Sequence, residues 1–484
     1  MADNRGSGSR RRPASGQPDR SRQRGPSGPP RRPPTRKPPE TDPARQAALD
    51  LLAAVRSRGA YANLTLPGIL TERGLSGRDA ALATELSYGS CRALGQLDAV
   101  ISACGDRKIV ELDGVVLDAL RLGAYQILRT RIPPHAAVSA TVDLVRASDK
   151  PGGAGYVNAV LRRISEADLD TWIERLAPDA AQDPLGHLAM AMSHPRWIVG
   201  AVHDSLGGPP ENPELAAALR ADDQPPAVHV VARPGRISRE ELLAASGGLP
   251  ALYSPYGVYL EGGDPGAIRA IADGRAAVQD EGSQLVAAAL AFAPLTGPDE
   301  RWLDLAAGPG GKAGLLGALA AQRGAAVDAV EITPHRAELV RQTVRGLPVT
   351  VHTADGRNPG LPDACFDRVL LDAPCTGLGA LRRRPEARWR RQPSDVGPLV
   401  ELQGALLESA ARLVRPGGVI GYVTCSPHLA ETVGVIESRP AGLELIDARP
   451  LLPGVPELGT GPTVQLWPHR QGTDGMFLAL LRRQ

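Results

Sequence analysis

The sequence predicts a multidomain protein: an all-α N-terminal domain, a small α+β connector and a C-terminal α/β domain of the doubly wound, Rossmann-like kind. Three observations carry this reading. Apolar residues recur at helical spacing from Asp42 to about Glu166. From about residue 276 onward, short apolar runs alternate with helical stretches, as a parallel sheet with crossover helices requires. Between the two the texture is mixed. A length of 484 residues agrees, being roughly three domains at about 150 residues each.

Residues 1–40 stand apart. They carry eleven Lys/Arg against three Asp/Glu, a net +8 that leaves −6 on residues 41–484 within the overall +2. Nine prolines and almost no large apolar side chain cannot bury enough surface to offset ordering entropy, so a disordered basic tail is expected. Its clusters Arg10-Arg11-Arg12 and Arg31-Arg32 are either phosphate contacts or part of a dispensable solvated extension. No apolar segment follows the charges as in a secretory signal, and no apolar run approaches the roughly 18 residues of a membrane span. Five scattered cysteines without a Cys-x-x-Cys pair argue against a zinc site and fit a reducing cytoplasm. Cys91, Cys104 and Cys365 read as small buried or incidental residues.

The helical domain is placed at 41–170, on apolar positions such as Ala47, Leu51, Ala54 and Val55, then Leu82, Leu86 and Tyr88, then Val116, Leu120, Ala124, Ile127 and Leu128. Ser76, followed by Asp79, resembles an N-cap, and Pro133-Pro134 and Pro151-Gly152-Gly153 separate helices. A bundle of this size serves either as scaffold or as an RNA- or partner-binding module. The connector, 171–275, holds the strand-like runs Ala227–Val231 and Gly257–Leu260 around a helix from Arg239 to Ala245. In the last domain, 276–484, a helix from Glu281 to Ala291 precedes five strands, Trp302–Ala306, Val327–Ile332, Val349–Thr353, Arg368–Asp372 and Val419–Thr424.

Ligands of such sheets bind beyond the carboxyl ends of the strands, so the strand ends hold the candidates. The first strand leads through Asp304 and Leu305 into Ala306-Ala307-Gly308-Pro309-Gly310-Gly311-Lys312 and then an Ala/Leu-rich helix. The glycines permit a tight turn, and the helix N-terminus presents free amides. A bare Gly-rich loop is weak evidence. The second strand makes it specific by ending in Glu331, about twenty residues on, where an acid accepts hydrogen bonds from ribose hydroxyls. A nucleoside ligand follows. The loop lacks Gly-x-x-x-x-Gly-Lys-Ser/Thr, which argues against a nucleoside triphosphate. Asp355, ending the third strand, either meets an adenine edge or stabilises its own turn. The fourth strand delivers Asp372-Ala373-Pro374-Cys375-Thr376-Gly377 and the fifth Tyr422-Val423-Thr424-Cys425-Ser426-Pro427. If these strands are neighbours, two thiols line one crevice.

This combination resembles the RsmB/Sun family of RNA cytosine-5 methyltransferases. The likeness covers residues 276–484 as catalytic domain, extends over the helical domain as a NusB-type RNA-binding module, and includes Ser193-His194-Pro195-Arg196-Trp197. The resemblance implies that Ala306–Lys312, Glu331, Asp355 and Asp372 bind S-adenosyl-L-methionine, that Cys425 is the nucleophile, and that Cys375 assists product release. Departures are Ala306 where many relatives have Cys, Gly308 where Ala is usual, Ala313 where Thr is common, and Glu331 where Asp is commoner.

Chemistry explains two thiols. Carbon 5 of cytosine is too poor a nucleophile to take a methyl group from a sulfonium until a thiolate adds to carbon 6. Asp372 is suited to hydrogen-bond ring nitrogen 3 and stabilise that adduct. The target base must also leave its stack, so the flanking backbone needs a grip. Arg382, Arg383, Arg384, Arg388, Arg390 and Arg391, with Trp389 for stacking, put six guanidiniums just after the first cysteine motif. A solvated charge run is the alternative.

A DNA cytosine enzyme would use a Pro-Cys nucleophile and needs no Thr-Cys-Ser strand end. An amino-group methyltransferase would show Asn/Asp-Pro-Pro-Tyr/Phe. A non-enzymatic RNA-binding or antitermination factor would leave the loop and both thiols without purpose. The expected partner is RNA, by resemblance 16S ribosomal RNA, with transfer RNA open because no residue reads a particular RNA.

Overall fold

The computed structural model describes residues 41–484. The basic tail at 1–40 lies outside the described residues. From Pro43 to Leu176 eight α-helices pack around one core that includes Leu49, Leu86, Leu97, Leu120, Leu144, Leu161 and Trp172. The first helix, Pro43–Arg58, starts where Asp42 accepts a hydrogen bond from the Arg45 amide and Pro43 fills the first turn. Ser76 does occupy the N-cap of the helix Gly77–Arg92, but its hydroxyl makes no capping bond, so the start rests on Asp79 in the first turn.

The connector has two parts. Helices Pro184–Ala191, Arg196–Leu206 and Pro213–Asp223 share a core with Leu378, Leu381 and Trp467, so they belong by packing to the thiol-bearing side. Strands β1 (Val228–Ala232), β2 (Leu249–Pro250), β3 (Gly257–Leu260) and β4 (Ala276–Val278) form an antiparallel sheet in the order β2-β3-β1-β4. Its helix Arg239–Ser246 begins in a capping box between Ser238 and Glu241.

The last domain is a mixed sheet of β5 (Arg301–Asp304), β6 (Ala326–Glu331), β7 (Val349–Thr353), β8 (Phe366–Asp372), β9 (Val414–Thr424), β10 (Leu443–Ile446), β11 (Val464–Gln465) and β12 (Phe477–Arg483). The order is β10-β12-β9-β8-β5-β6-β7, with β11 pairing β12. The five expected strands are the parallel ones, and β12 pairs antiparallel to both β9 and β10. The apolar run of β12 has no period that separates a buried strand from a buried helix, which is why these last strands escape a sequence reading. Helices Glu281–Phe292 and Gly311–Ala321 cover one face, and Val396–Leu413 covers the other. Asp372 pairs with Val423, so β8 and β9 are neighbours and both cysteine motifs leave the sheet side by side.

Among the described residues no helix is long and apolar enough to cross a membrane. No group of three or more His, Cys, Asp or Glu among them could hold a metal ion.

Candidate active site

The Gly-rich loop is built around a close approach. Gly310 adopts φ +108°, a conformation open to glycine. A Cβ at Gly308 would lie 2.0 Å from Glu331 Oε2. The longer acid and the bare loop therefore fit each other: Glu331 folds back over Gly308, while its Oε1 accepts the Thr333 amide at 2.8 Å. Asp304, at the end of β5, is buried, and neither carboxylate oxygen has a hydrogen-bond partner among the described residues. Burial first, then the Asp372 carboxylate, push it up to about 7. Asp355 is placed otherwise. Both its oxygens are taken by Arg357, which holds its carboxyl below the usual range, so in this structure it performs the turn role.

The thiols meet. Cys375 Sγ and Cys425 Sγ are 3.5 Å apart. Beside them Lys312 Nζ donates to Asp372 Oδ2 at 2.8 Å. Burial opposes the charge on Lys312, but Asp372 outweighs it and raises the lysine above its usual value. The contact with Cys375 lowers the Cys425 thiol, and Lys312 and Arg384 lower it further against burial and Asp372. The same contact raises Cys375, as do its burial and the nearby Glu431 and Asp372 carboxylates. The pair is thus polarised, with Cys375 keeping its proton and Cys425 the better thiolate.

A thiolate alkylates and a thiol does not, so the asymmetry sets a pH prediction. Iodoacetamide labelling of Cys425 should rise through a midpoint below the ordinary thiol value. Cys375→Ala, by removing the lowering contact, should move that midpoint upward. Peptide mass spectrometry across pH reads it, and an unchanged or lowered midpoint contradicts the polarisation.

Sequence reading missed the residue that ties the two motifs together. Glu431 is fully buried and accepts from the Thr376 amide (2.7 Å), Thr376 Oγ1 (2.5 Å) and Ser426 Oγ (2.7 Å). Gln403 Nε2 adds a bond to Pro374 O at 2.8 Å. The carboxylate thereby staples the loop after β8 to the loop after β9, which sets the distance between the sulfurs. The available signal was faint, an acid six positions after Cys425.

The arginine cluster requires correction. Arg388 is fully buried, and its two terminal nitrogens are taken by Asp223 Oδ1 (2.7 Å), Ser193 O (3.1 Å) and Asp222 O (3.2 Å). Arg382 and Arg383 share Asp280 and Asp474. Arg390 donates to Gly59 O at 2.7 Å and to Ala60 O. Arg391 donates to Thr376 O at 3.1 Å. Trp389 is not a free stacking platform either: its indole donates to Cys91 O at 3.1 Å and packs on Gly95. Most of the run thus joins helical domain, connector and catalytic sheet, because the acids and carbonyls facing it come from those distant segments. Arg384 differs: it is exposed and, among the described residues, its side chain has no hydrogen bond or ion pair. With Arg390 it lies by the half-exposed ring of Tyr61, at 5.7 and 5.4 Å.

Comparison with known proteins places the chain among relatives. Residues 290–482 match the family model described as 16S rRNA methyltransferase RsmB/F, and residues 42–166 match the NusB family. A Mycobacterium tuberculosis protein named only as a methyltransferase, Rv1407, is 57% identical over 445 residues, covering 91% of this chain and 97% of its own length. Ribosomal RNA small subunit methyltransferase B of Escherichia coli O6:K15:H31 is 32% identical over 450 residues, covering 90% of this chain and 98% of the relative. The enzyme of that name from Pseudomonas syringae is 33% identical, with 90% and 96% covered. The crystal structure of PH0851 has the same fold across 92% of this chain and all of its own, with a TM-score of 0.76 at 24% identity. With whole-length relatives at this identity and a matching catalytic model, the chain belongs to the RsmB/F family of 16S rRNA methyltransferases.

Proposed function

We propose that this protein methylates carbon 5 of a cytidine in small-subunit (16S) ribosomal RNA through a covalent adduct between Cys425 and carbon 6 of the base. The observation that carries the reading is the pair of thiols 3.5 Å apart at adjacent strand ends. The names of the full-length relatives supply the choice of RNA.

The residues present fit S-adenosyl-L-methionine. Asp304 is a buried carboxylate lacking donors, which suits a positively charged ligand, and Glu331 sits over the Gly308 turn where ribose hydroxyls would be accepted. When bound, the cofactor supplies an electrophilic methyl group. Ala306, Ala307, Pro309 and Gly311 complete the loop proposed to hold it, in which the close approaches are at Gly308 and Gly310. Cys425 attacks carbon 6 as the thiolate, and the electron pair so delivered makes carbon 5 nucleophilic. As negative charge builds on the ring, a proton passed from Lys312, whose Nζ lies 2.8 Å from Asp372 Oδ2, through that carboxyl to ring nitrogen 3 would neutralise it. Loss of the carbon 5 proton then returns the electrons that expel the Cys425 sulfur, and Cys375, still carrying its proton, is placed to receive the departing thiolate by hydrogen bond.

Bisulfite sequencing of small-subunit RNA and of transfer RNA, each incubated with protein and cofactor, tests the reading. One protected cytosine supports it. Protection confined to transfer RNA overturns the choice of substrate. Glu331→Ala should weaken cofactor binding by about 1–3 kcal/mol, measured by calorimetry, and unchanged affinity removes its ribose role. Arg384→Ala should raise the dissociation constant for RNA and flatten its salt dependence by about 0.7 in log–log slope. If it leaves both unchanged, the RNA does not pass Tyr61.

A further inference from the structure

Beside the Arg388 seam lies a cavity of about 150 Å³, lined by Glu85, Arg92, Tyr125 and Arg129 of the helical domain and by Asp223 and Pro225 of the connector. Arg92 is anomalous in it. The residue is only 9% exposed, and its Nε is a buried donor with no acceptor among the described residues. No ion pair or hydrogen bond of its guanidinium occurs among those residues either; its aromatic neighbour is the Tyr88 ring at 5.8 Å. Buried donors are costly to leave unmade, so Arg92 Nε, with its two terminal nitrogens unpaired beside it, favours an acceptor entering the cavity.

The other lining groups say what kind of group it is. Glu85 spends Oε1 on Tyr125 Oη (2.5 Å) and Asp223 spends Oδ1 on Arg388 (2.7 Å), leaving each with a second oxygen free of hydrogen bonds among the described residues. Arg129 spends Nε and Nη2 on Gln96 and keeps Nη1. Guanidinium donors and carboxylate acceptors therefore line one small space, with the exposed Glu85 at its solvent-open rim. A bare phosphate would be repelled by the two acids, and a cation by the two arginines. A neutral ring with acceptors on one edge and donors on the next satisfies both sets. Guanine has that pattern, O6 and N7 accepting and N1–H with the 2-amino group donating, and adenine and the pyrimidines do not. A cavity of about 150 Å³ is the size that takes one aromatic ring.

We propose that this cavity is a base-recognition pocket for an unpaired guanine of the RNA, separate from the methylated cytosine. The proposal rests on the RNA substrate proposed above. Arg92 and Arg129 donate to the O6/N7 edge, and Glu85 and Asp223 accept from the N1/N2 edge. A base held here anchors the strand where helical domain and connector meet, while another nucleotide enters the thiol cleft.

The test uses the full chain and two single-stranded RNA dodecamers that differ only in inosine for guanosine, which removes the 2-amino donor. Wild type should bind the guanosine RNA about tenfold more tightly. Glu85→Gln should erase that preference, Arg92→Met should weaken binding of both RNAs to a similar degree, and both variants should leave affinity for S-adenosylmethionine unchanged. The Glu85 variant keeps the Tyr125 hydrogen bond and so guards against a variant of Arg92 that fails to fold. Equal binding of both RNAs by wild type, a preference that survives Glu85→Gln, or unchanged RNA affinity in Arg92→Met overturns the pocket. So does competition by inorganic phosphate as effective as that by guanosine monophosphate. The readout is binding alone: absent methylation would sink the proposed function without touching it, and intact methylation with no preference would sink the pocket alone.

Discussion

Cys375→Ala, incubated with substrate RNA and S-adenosylmethionine, is expected to yield a protein–RNA band that survives denaturation, whereas Cys425→Ala yields none. Both variants should lose turnover, for different reasons. Cys425 is the thiol on which Lys312 and Arg384 act to favour the thiolate, so without it carbon 6 has no attacker. Cys375 lies 3.5 Å away with its proton retained, so its loss leaves the adduct formed but not resolved. The double variant should show no band. A band in Cys425→Ala alone would invert the assignment, and no band in either variant would remove the release role of Cys375 while leaving Cys425 as a possible nucleophile. Loss of a unit of covalent chemistry is expected to cost several powers of ten in rate.

Arg388→Met is expected to lower unfolding stability by about 3–5 kcal/mol, the range for breaking a buried ion pair from one side. Its partner Asp223 would keep a charge beside two carbonyls, Ser193 O and Asp222 O, that also lose their donor. Thermal or denaturant unfolding reads the effect. Arg384→Ala, at an exposed position without an ion pair, should change stability by no more than about 0.5 kcal/mol while weakening RNA binding. If instead Arg388→Met unfolds like wild type and loses RNA affinity, the buried seam is misassigned and the whole arginine run returns to the RNA.

What the sequence determined by itself was everything governed by local period and local chain chemistry. The helical spacing of Leu82, Leu86 and Val116, Leu120 is carried by neighbours on one helix, and the bundle core follows it. The five parallel strands announced themselves because each is a short apolar run closed by a turn. The loop from Ala306 to Lys312 and both cysteine motifs were legible for the same reason: glycines, acids and thiols at strand ends are contiguous in the chain. Tertiary structure alone decided which charges are spent. Arg388 and Asp223 are 165 positions apart, and Arg390 and Gly59 are 331, so no window of sequence shows that these guanidiniums face acids and carbonyls instead of water. Glu431 is close to Cys425 in sequence, but its function as a staple exists only because β8 and β9 are neighbours and bring Thr376 within 2.7 Å of it. The Arg92 cavity is of the same kind, made by two helices and the connector. Periodicity fixes which face of an element is apolar, whereas the partner of a charge is set by chain segments whose approach depends on the packing of the whole molecule.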